Sequence, residues 1–178
     1  MNILKGSKPN AISAYTVILL QHEQHYLLLQ RAHSKAFAPG RWTGVGGRVE
    51  AHEWADLTAS AERELQEETG ILPGQVENFV LRRGLIHARP GEPLTTLLYF
   101  TGYLPLKITP TCSEGTLTWV TADQMAGLDI IETTQAVLPQ LVTDLGRDPA
   151  GGEPLRLAVA HYRPDGRFVG LTWDVDEV

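Results

Sequence analysis

Gly46-Gly47-Arg48-Val49-Glu50 and Arg63-Glu64-Leu65-Gln66-Glu67-Glu68-Thr69-Gly70-Ile71 are the two ends of the stretch that decides the fold. The first is a glycine turn, and the second completes a run of helix-forming residues from Trp54 to Thr69. Gly70 ends this helix, because glycine readily adopts the left-handed conformation that closes a helix. Apolar residues recur along the run at helical spacing, which predicts a face packed against a core. They are Trp54, Leu57, Ala61 and Leu65.

The same helix is predicted to carry an acidic face. Glu64, Glu67 and Glu68 stand at positions i, i+3 and i+4, which lie on one side of a helix. Like charges at this spacing destabilise a helix by about 0.2–0.5 kcal/mol per pair, so a compensating cation is expected. Carboxylate oxygens are the ligands that Mg²⁺ and Mn²⁺ prefer. A solvated acidic surface helix is the simpler alternative, but it does not explain the glycine turn or Arg63.

Together these residues resemble the Nudix box, whose pattern is G-x5-E-x7-R-E-U-x-E-E-x-G-U, with U an aliphatic residue. Gly47 and Glu53 match the start of the pattern, and residues 63–71 match its end in full. A fixed pattern of this length has few accidental matches. The stretch is therefore identified as a Nudix box, covering residues 47–71.

The middle of the box departs from the family pattern. Nine residues separate Glu53 from Arg63, where the family has seven. Two extra residues in a continuous helix would rotate Glu53 by about 200° relative to Arg63. The carboxylate that orients Arg63 is therefore Glu53, Asp56 or Glu50. We favour Glu53, because a loop accommodates extra residues at lower free-energy cost than a packed helix face does.

The resemblance implies the Nudix fold, an α/β/α sandwich with a mixed β-sheet, and a divalent metal site beside the box helix. The implied metal ligands are the Gly47 carbonyl, Glu64, Glu67 and Glu68. Glu53 and Arg63 are implied as a structural brace. The implied catalytic residues are Glu64, favoured as the base, with Glu114 as the alternative, and Glu67. Mg²⁺ is the implied cofactor, and Mn²⁺ is expected to substitute for it.

The loop before the box resembles one branch of the Nudix superfamily in particular. Residues 40–47, Gly-Arg-Trp-Thr-Gly-Val-Gly-Gly, resemble the MutT-like branch, the 8-oxo-dGTP diphosphatases, which carry Arg-Trp-Asn-Gly-x-Gly-Gly. Thr43 replaces the asparagine of that pattern. Glycines such as Gly46 let a backbone approach a phosphate, and Arg31 and Arg41 are candidates for binding it. A surface salt bridge is an equal alternative for each arginine.

Net charge and cysteine content indicate which partners and which cellular compartment are expected. The net charge of −6 argues against a nucleic-acid polymer or a membrane surface as partner. Cys112 is the single cysteine, which excludes an internal disulfide and fits a reducing compartment. The first residues, Met1 to Gly6, lack the apolar core of a signal peptide, so a cytoplasmic location is expected. A monomer or homodimer is expected.

The rest of the chain predicts strands for a single domain spanning residues 1–178. Leu155 to Tyr162 and Phe168 to Trp173 are expected to form a carboxy-terminal hairpin within residues 155–174, because Arg163-Pro164-Asp165-Gly166 is a strong turn signal. A helix is expected from Thr133 to Leu145, with a kink or a late start at Pro139. The other expected strands are Ala14 to Leu20, Tyr26 to Leu29, Asn78 to Ala88, Leu94 to Leu104 and Leu117 to Val120.

These observations predict a pyrophosphohydrolase acting on a nucleoside diphosphate linked to another group. A nucleoside triphosphate or oxidised dGTP, cleaved to monophosphate and pyrophosphate, is the favoured substrate. ADP-ribose and dinucleoside polyphosphates are alternatives within this class. A Nudix regulator that binds a nucleotide without catalysis is the alternative outside it, although loss of box carboxylates would mark such a protein and all three are present here.

Overall fold

The computed structural model describes residues 12–108 and 110–174, which form a mixed sheet of eight strands with helices on both faces. The expectation made for Met1 to Gly6 lies outside the described residues. The strands are β1 Ser13–His22, β2 His25–Arg31, β3 Trp42–Thr43, β4 Glu77–His87, β5 Thr95–Tyr103, β6 Gly115–Thr121, β7 Arg156–Tyr162 and β8 Phe168–Trp173. The helices are α1 Leu57–Thr69, α2 Ala122–Met125 and α3 Glu132–Arg147. None of the described helices is long and apolar enough to cross a membrane.

The sheet has the strand order β3-β2-β1-β5-β4-β7-β8, and β6 pairs with β2. β1 runs parallel to β5, and β4 runs parallel to β7, while the other pairs are antiparallel. The predicted mixed sheet is therefore confirmed. The β7–β8 hairpin forms as expected and extends the sheet beyond β4.

Each face of the sheet has its own apolar core, because successive side chains of a strand point to opposite faces. Ala61 and Leu65 of α1 pack with Ile18 and Phe100 on one face. On the other face, the apolar side of α3 packs with alternate residues of the same strands, such as Leu19 and Tyr99. The box helix α1 and helix α3 thus lie on opposite faces of the sheet, which is the predicted α/β/α arrangement.

The predicted start of α1 is wrong. α1 begins at Leu57 and not at Trp54, and the Trp54 side chain is 47% exposed and does not face the core. Asp56 is the N-cap residue, accepting a hydrogen bond from the Ala59 amide at 3.0 Å, which explains the later start. α3 begins at Glu132, close to the predicted Thr133, and contains Pro139; of the two effects expected of this proline, the late start is not found.

Candidate active site

The two extra residues of the box lie in the turns that precede α1. Because α1 begins only at Leu57, Glu53 is free to fold back against the helix. Its carboxylate accepts hydrogen bonds from Arg63 Nε at 2.6 Å and Nη2 at 2.9 Å. It also accepts from Ser60 Oγ at 2.7 Å and from the Glu50 amide at 2.9 Å. The hydrogen bonds from Arg63 hold the pKa of the buried Glu53 carboxyl far below its usual range.

Arg63 ties this carboxylate to the loop that carries the glycines. Its Nη2 donates to the carbonyl oxygen of Arg48 at 3.1 Å, directly after Gly47. Its Nη1 donates to Glu64 at 2.9 Å and to Glu67 at 2.9 Å. One guanidinium therefore connects the turn, the loop and the acidic face of α1. Asp56 takes no part in this network and serves the helix N-terminus.

Glu64 lies directly against the glycine loop. Its side chain is 13% exposed, and a Cβ on Gly47 would stand 2.4 Å from Glu64 Oε2, so only glycine leaves room for this carboxylate. Burial raises the pKa of Glu64, an effect that the bond from Arg63 opposes. The Gly47 carbonyl accepts a hydrogen bond from the Thr16 amide at 2.8 Å, which anchors the loop to β1. The same oxygen also accepts a longer hydrogen bond of 3.4 Å from the Thr16 hydroxyl, which a ligand of this carbonyl would replace.

Glu68 is the second carboxylate at the loop. The Gly46 amide donates to Glu68 Oε2 at 3.1 Å. Gly46 has φ of +140° and a Cβ there would stand 2.3 Å from the Thr16 carbonyl oxygen, so this position requires glycine. Burial raises the pKa of Glu68 to about 7, and the nearby charges of Glu64 and Glu114 add to the effect.

Glu114 reaches the same site from the loop before β6. It lines the cleft together with Glu64 and Glu68, as the sequence suggested. Its carboxylate accepts a hydrogen bond from Lys35 Nζ at 2.5 Å, a partner that sequence reasoning missed. Arg31 also lines the cleft; its Nε donates to the Phe37 carbonyl at 2.9 Å.

Two residues proposed from sequence lie elsewhere. Glu67 is 61% exposed and does not line the cleft, because it points along the side of α1 towards Arg63. Arg41 also lies outside the cleft lining. Its guanidinium pairs with Asp129 at 3.1 Å and Glu132 at 3.0 Å, as the salt-bridge alternative expects, and binding of a phosphate would require these pairs to open.

The carboxylates occupy only part of a cleft of about 580 Å³, a volume typical of small-molecule sites. The remainder is lined by residues that the sequence did not single out. From the sheet and α3 come Tyr15, Val17, Thr95, Leu97, His87, Ile131, Thr133 and Thr134. Arg89 and Glu92 join them from the turn after β4. The turn itself was predicted from its prolines and glycine, but its contribution to the cleft depends on the sheet order.

Comparison with known proteins decides the family. The NUDIX domain family model matches residues 10–141, which is most of the chain. The chain belongs to the NUDIX family. The predicted class, a Nudix hydrolase, is thereby confirmed, and the MutT-like branch stays a prediction.

Solved Nudix structures share the fold. A MutT protein from Bacillus halodurans is 23% identical, with a TM-score of 0.59 over 91% of this chain and 97% of that chain. An Ap4A hydrolase from C. elegans is 18% identical, with a TM-score of 0.62 over 76% and 98%. The dihydroneopterin triphosphate pyrophosphohydrolase of E. coli is 25% identical, with a TM-score of 0.59 over 75% and 95%.

The residues of the cleft fit the divalent cation that Nudix chemistry generally requires. Glu64, Glu68 and Glu114 are oxygen donors of the kind that hard cations prefer. The raised pKa of Glu68 shows that its negative charge is poorly compensated by the protein itself. Among the described residues no three acidic, histidine or cysteine side chains already converge as a metal cluster. Arg63 donates to Glu64 Oε1 and to Glu67 Oε2, and of these two side chains only Glu67, which does not line the cleft, must turn to reach a cation there.

Proposed function

We propose that this Nudix hydrolase cleaves a nucleoside diphosphate linked to another group, with residues 1–178 acting as one domain. The favoured substrates are purine nucleoside triphosphates, oxidised dGTP included, which yield the monophosphate and pyrophosphate. The observation that carries the proposal is that Glu64, Glu68 and Glu114 line the same cleft as the Gly46–Gly47 backbone. The desolvated carboxylates of Glu64 and Glu68 suit a site that binds a polyanion through a cation.

Mg²⁺, which Mn²⁺ is expected to replace, would be held by the Gly47 carbonyl, Glu64, Glu67 and Glu68. When bound, it supplies charge neutralisation on the phosphate oxygens and a lower pKa for a coordinated water. Glu67 contributes only if it leaves Arg63, since it does not line the cleft.

The chain's own groups perform the remaining steps. The Gly46 backbone lets the diphosphate approach closely, and Arg31 offers charge to a phosphate oxygen. Water attacks phosphorus, the bond from that phosphorus to the bridging oxygen breaks, and a carboxylate accepts the proton of the water. Glu64 is our proposed base and Glu114 the alternative. For Glu114 to act, its bond from Lys35 must open.

A nucleotide panel with Mg²⁺ and chromatographic separation of the products tests this function. Cleavage of purine triphosphates to the monophosphate and pyrophosphate, at higher kcat/KM than the cleavage of ADP-ribose or of a dinucleoside polyphosphate, is the expected result. Exclusive cleavage of ADP-ribose would refute the MutT-like assignment. Binding of nucleotides without turnover of any of them would show a regulator instead.

The base is assigned by two further variants. Glu64→Gln and Glu114→Gln are compared by their kcat at saturating Mg²⁺. The larger loss of kcat, together with loss of the acidic limb of its pH profile, identifies the base. Equal retention of kcat in both variants would place the base elsewhere.

A further inference from the structure

The carboxy-terminal hairpin lies beyond the part of the chain that matches the NUDIX family, residues 10–141. β7 joins the sheet parallel to β4, with His87 opposite Ala160 in the register. Tyr162, at the end of β7, is thereby placed beside the last residue of β4. The hairpin therefore supports one wall of the cleft, the wall that holds His87 and Arg89, although none of its own described residues lines the cleft.

Three side chains form a connected group at this wall. The Tyr162 hydroxyl and His87 Nδ1 share a hydrogen bond of 3.2 Å, and the two rings lie 5.9 Å apart. The Arg89 guanidinium lies over the Tyr162 ring, 5.3 Å from its centroid. A cation over an aromatic face is attracted to it, so Tyr162 sets the position of Arg89. His87 and Arg89 both line the cleft.

Arg89 retains hydrogen-bonding capacity. Its Nε is buried and has no hydrogen-bond partner among the residues that the structure describes. Within the same residues, no ion pair joins its guanidinium to a carboxylate, in contrast to Arg41 and Arg63. Buried polar groups are normally satisfied, and an unsatisfied donor in a cleft indicates a ligand that supplies the acceptor. A guanidinium presents paired donors that fit two adjacent acceptors.

The distance between Arg89 and the carboxylates indicates which part of a substrate Arg89 can contact. The loop with Gly47 is anchored to β1, whereas His87 ends β4, and β5 lies between these two strands. Two strand spacings separate the sites by roughly 10 Å along the sheet. Leu97, Val17 and Ile131 line the cleft with apolar surface. A phosphate chain bound at the carboxylates thus directs its organic group towards Arg89.

We propose that Arg89, positioned by Tyr162 and His87 of the cleft wall, is a specificity residue that reads a base with two adjacent hydrogen-bond acceptors. The O6 and N7 atoms of a 6-oxopurine are such a pair, and they form the bidentate partner of arginine. Adenine places an amino donor beside N7 and cannot accept both bonds. This inference rests on the proposed function and names the substrate class within it: 6-oxopurine triphosphates whose N7 is an acceptor, which leaves out oxidised guanine because its N7 carries a hydrogen.

Inosine triphosphate and ATP provide the direct test, since inosine carries the oxo group where adenine carries the amine. The wild-type protein is expected to show roughly 10- to 100-fold higher kcat/KM for ITP than for ATP. 7-Deaza-GTP, which lacks the N7 acceptor, is expected to lose most of the advantage of GTP. Arg89→Lys keeps the charge and removes the paired donors, so the ITP/ATP ratio should fall towards one.

Two further variants separate positioning from folding. Tyr162→Leu removes the ring over which Arg89 lies, so it should lower the ITP/ATP ratio through KM while kcat stays near wild type. Arg163→Lys is the matched control, because Arg163 is an exposed residue of the hairpin turn outside the cleft lining. It should leave the ratio unchanged. Thermal unfolding of each variant shows whether a loss reflects the fold.

The outcomes distinguish the inference from the function on which it rests. An unchanged ITP/ATP ratio in Arg89→Lys, with triphosphate hydrolysis intact, would overturn the inference alone. An equal loss for ITP and ATP would also overturn it, by showing that Arg89 contacts a phosphate. If no triphosphate is hydrolysed, the proposed function fails, and binding of IMP against AMP still tests base reading. Tighter IMP binding that Arg89→Lys abolishes would support it, and equal binding would refute it.

Discussion

Replacing Glu53 by glutamine removes one charge from the centre of the Arg63 network. The carboxylate accepts two bonds from Arg63, one from Ser60 and one from the Glu50 amide. In Glu53→Gln the amide nitrogen must face at least one of these donors, so a charge-assisted bond is lost and two donors oppose each other. Loss of one such bond costs about 1.5–3 kcal/mol.

The expected loss of stability lies at the upper end of that range. Breaking a fully buried ion pair costs about 3–5 kcal/mol, but the Arg63 side chain is 30% exposed and can be hydrated. We therefore expect about 3 kcal/mol, which for a domain of this size lowers Tm by about 6–12 °C. Because Arg63 also holds the Arg48 carbonyl beside Gly47, magnesium affinity and kcat/KM should fall by about 10- to 100-fold.

The assay is a magnesium titration of nucleotide hydrolysis, with calorimetric unfolding of the same samples. Asp56→Asn is the matched control, because asparagine caps a helix as well as aspartate does. It should remain within about 0.5 kcal/mol of wild type. Wild-type magnesium affinity, kcat/KM and stability in Glu53→Gln, together with a large loss of them in Asp56→Asn, would refute the reasoning.

The same substitution has a pH signature. The folded-state pKa of Glu53 is depressed, so its contribution to stability is complete above the unfolded pKa of about 4.3 and is lost as pH falls towards the folded pKa. Glu53→Gln should therefore differ most from wild type above about pH 5, and the difference should shrink in stronger acid. A difference that grows below pH 4 would contradict the assigned pKa direction.

The remaining predictions concern the metal and the carboxylates. Hydrolysis should require Mg²⁺ or Mn²⁺ and should stop in excess chelator, measured as product formation; undiminished turnover would rule out the metal site. Glu68→Gln should lower kcat by orders of magnitude with the fold intact, and by more than Glu67→Gln does, because only Glu68 lines the cleft; equal losses would show that Glu67 turns into the site. Gly47→Ala should lower kcat at least ~10-fold, since its Cβ would displace Glu64. Gly74→Ala, in open space, should be neutral, and a fully active Gly47→Ala protein would refute the packing argument.

Local sequence patterns determined the helix, its acidic face and the family. A helix end, a carboxylate spacing and a glycine turn depend on residues that are neighbours in the chain, so they can be read without the fold. Gly70 does adopt the left-handed conformation expected at the end of α1, with φ of +72°. The choice of Glu53 over Asp56 as the partner of Arg63 also followed from a local argument about loops.

Helical spacing alone did not identify where α1 begins. Trp54 continues the apolar period of the helix, yet Asp56 caps the helix after it, and the Trp54 side chain is 47% exposed. A capping residue sets the first residue of a helix even where the helical spacing of apolar residues continues before it. It does so because its side chain accepts hydrogen bonds from the first free amides of the helix. The Asp-Leu-Thr-Ala sequence at residues 56–59 carried this signal.

Only the tertiary structure decided which charged residues meet in the cleft. Arg41 stands next to the glycine loop in sequence, but its partners Asp129 and Glu132 come from the segment before α3 and from its first turn. Arg89 and Tyr162 are far apart in sequence, and they meet because β7 pairs parallel to β4. Long-range strand pairing depends on contacts between distant segments, and no periodicity within either segment encodes it.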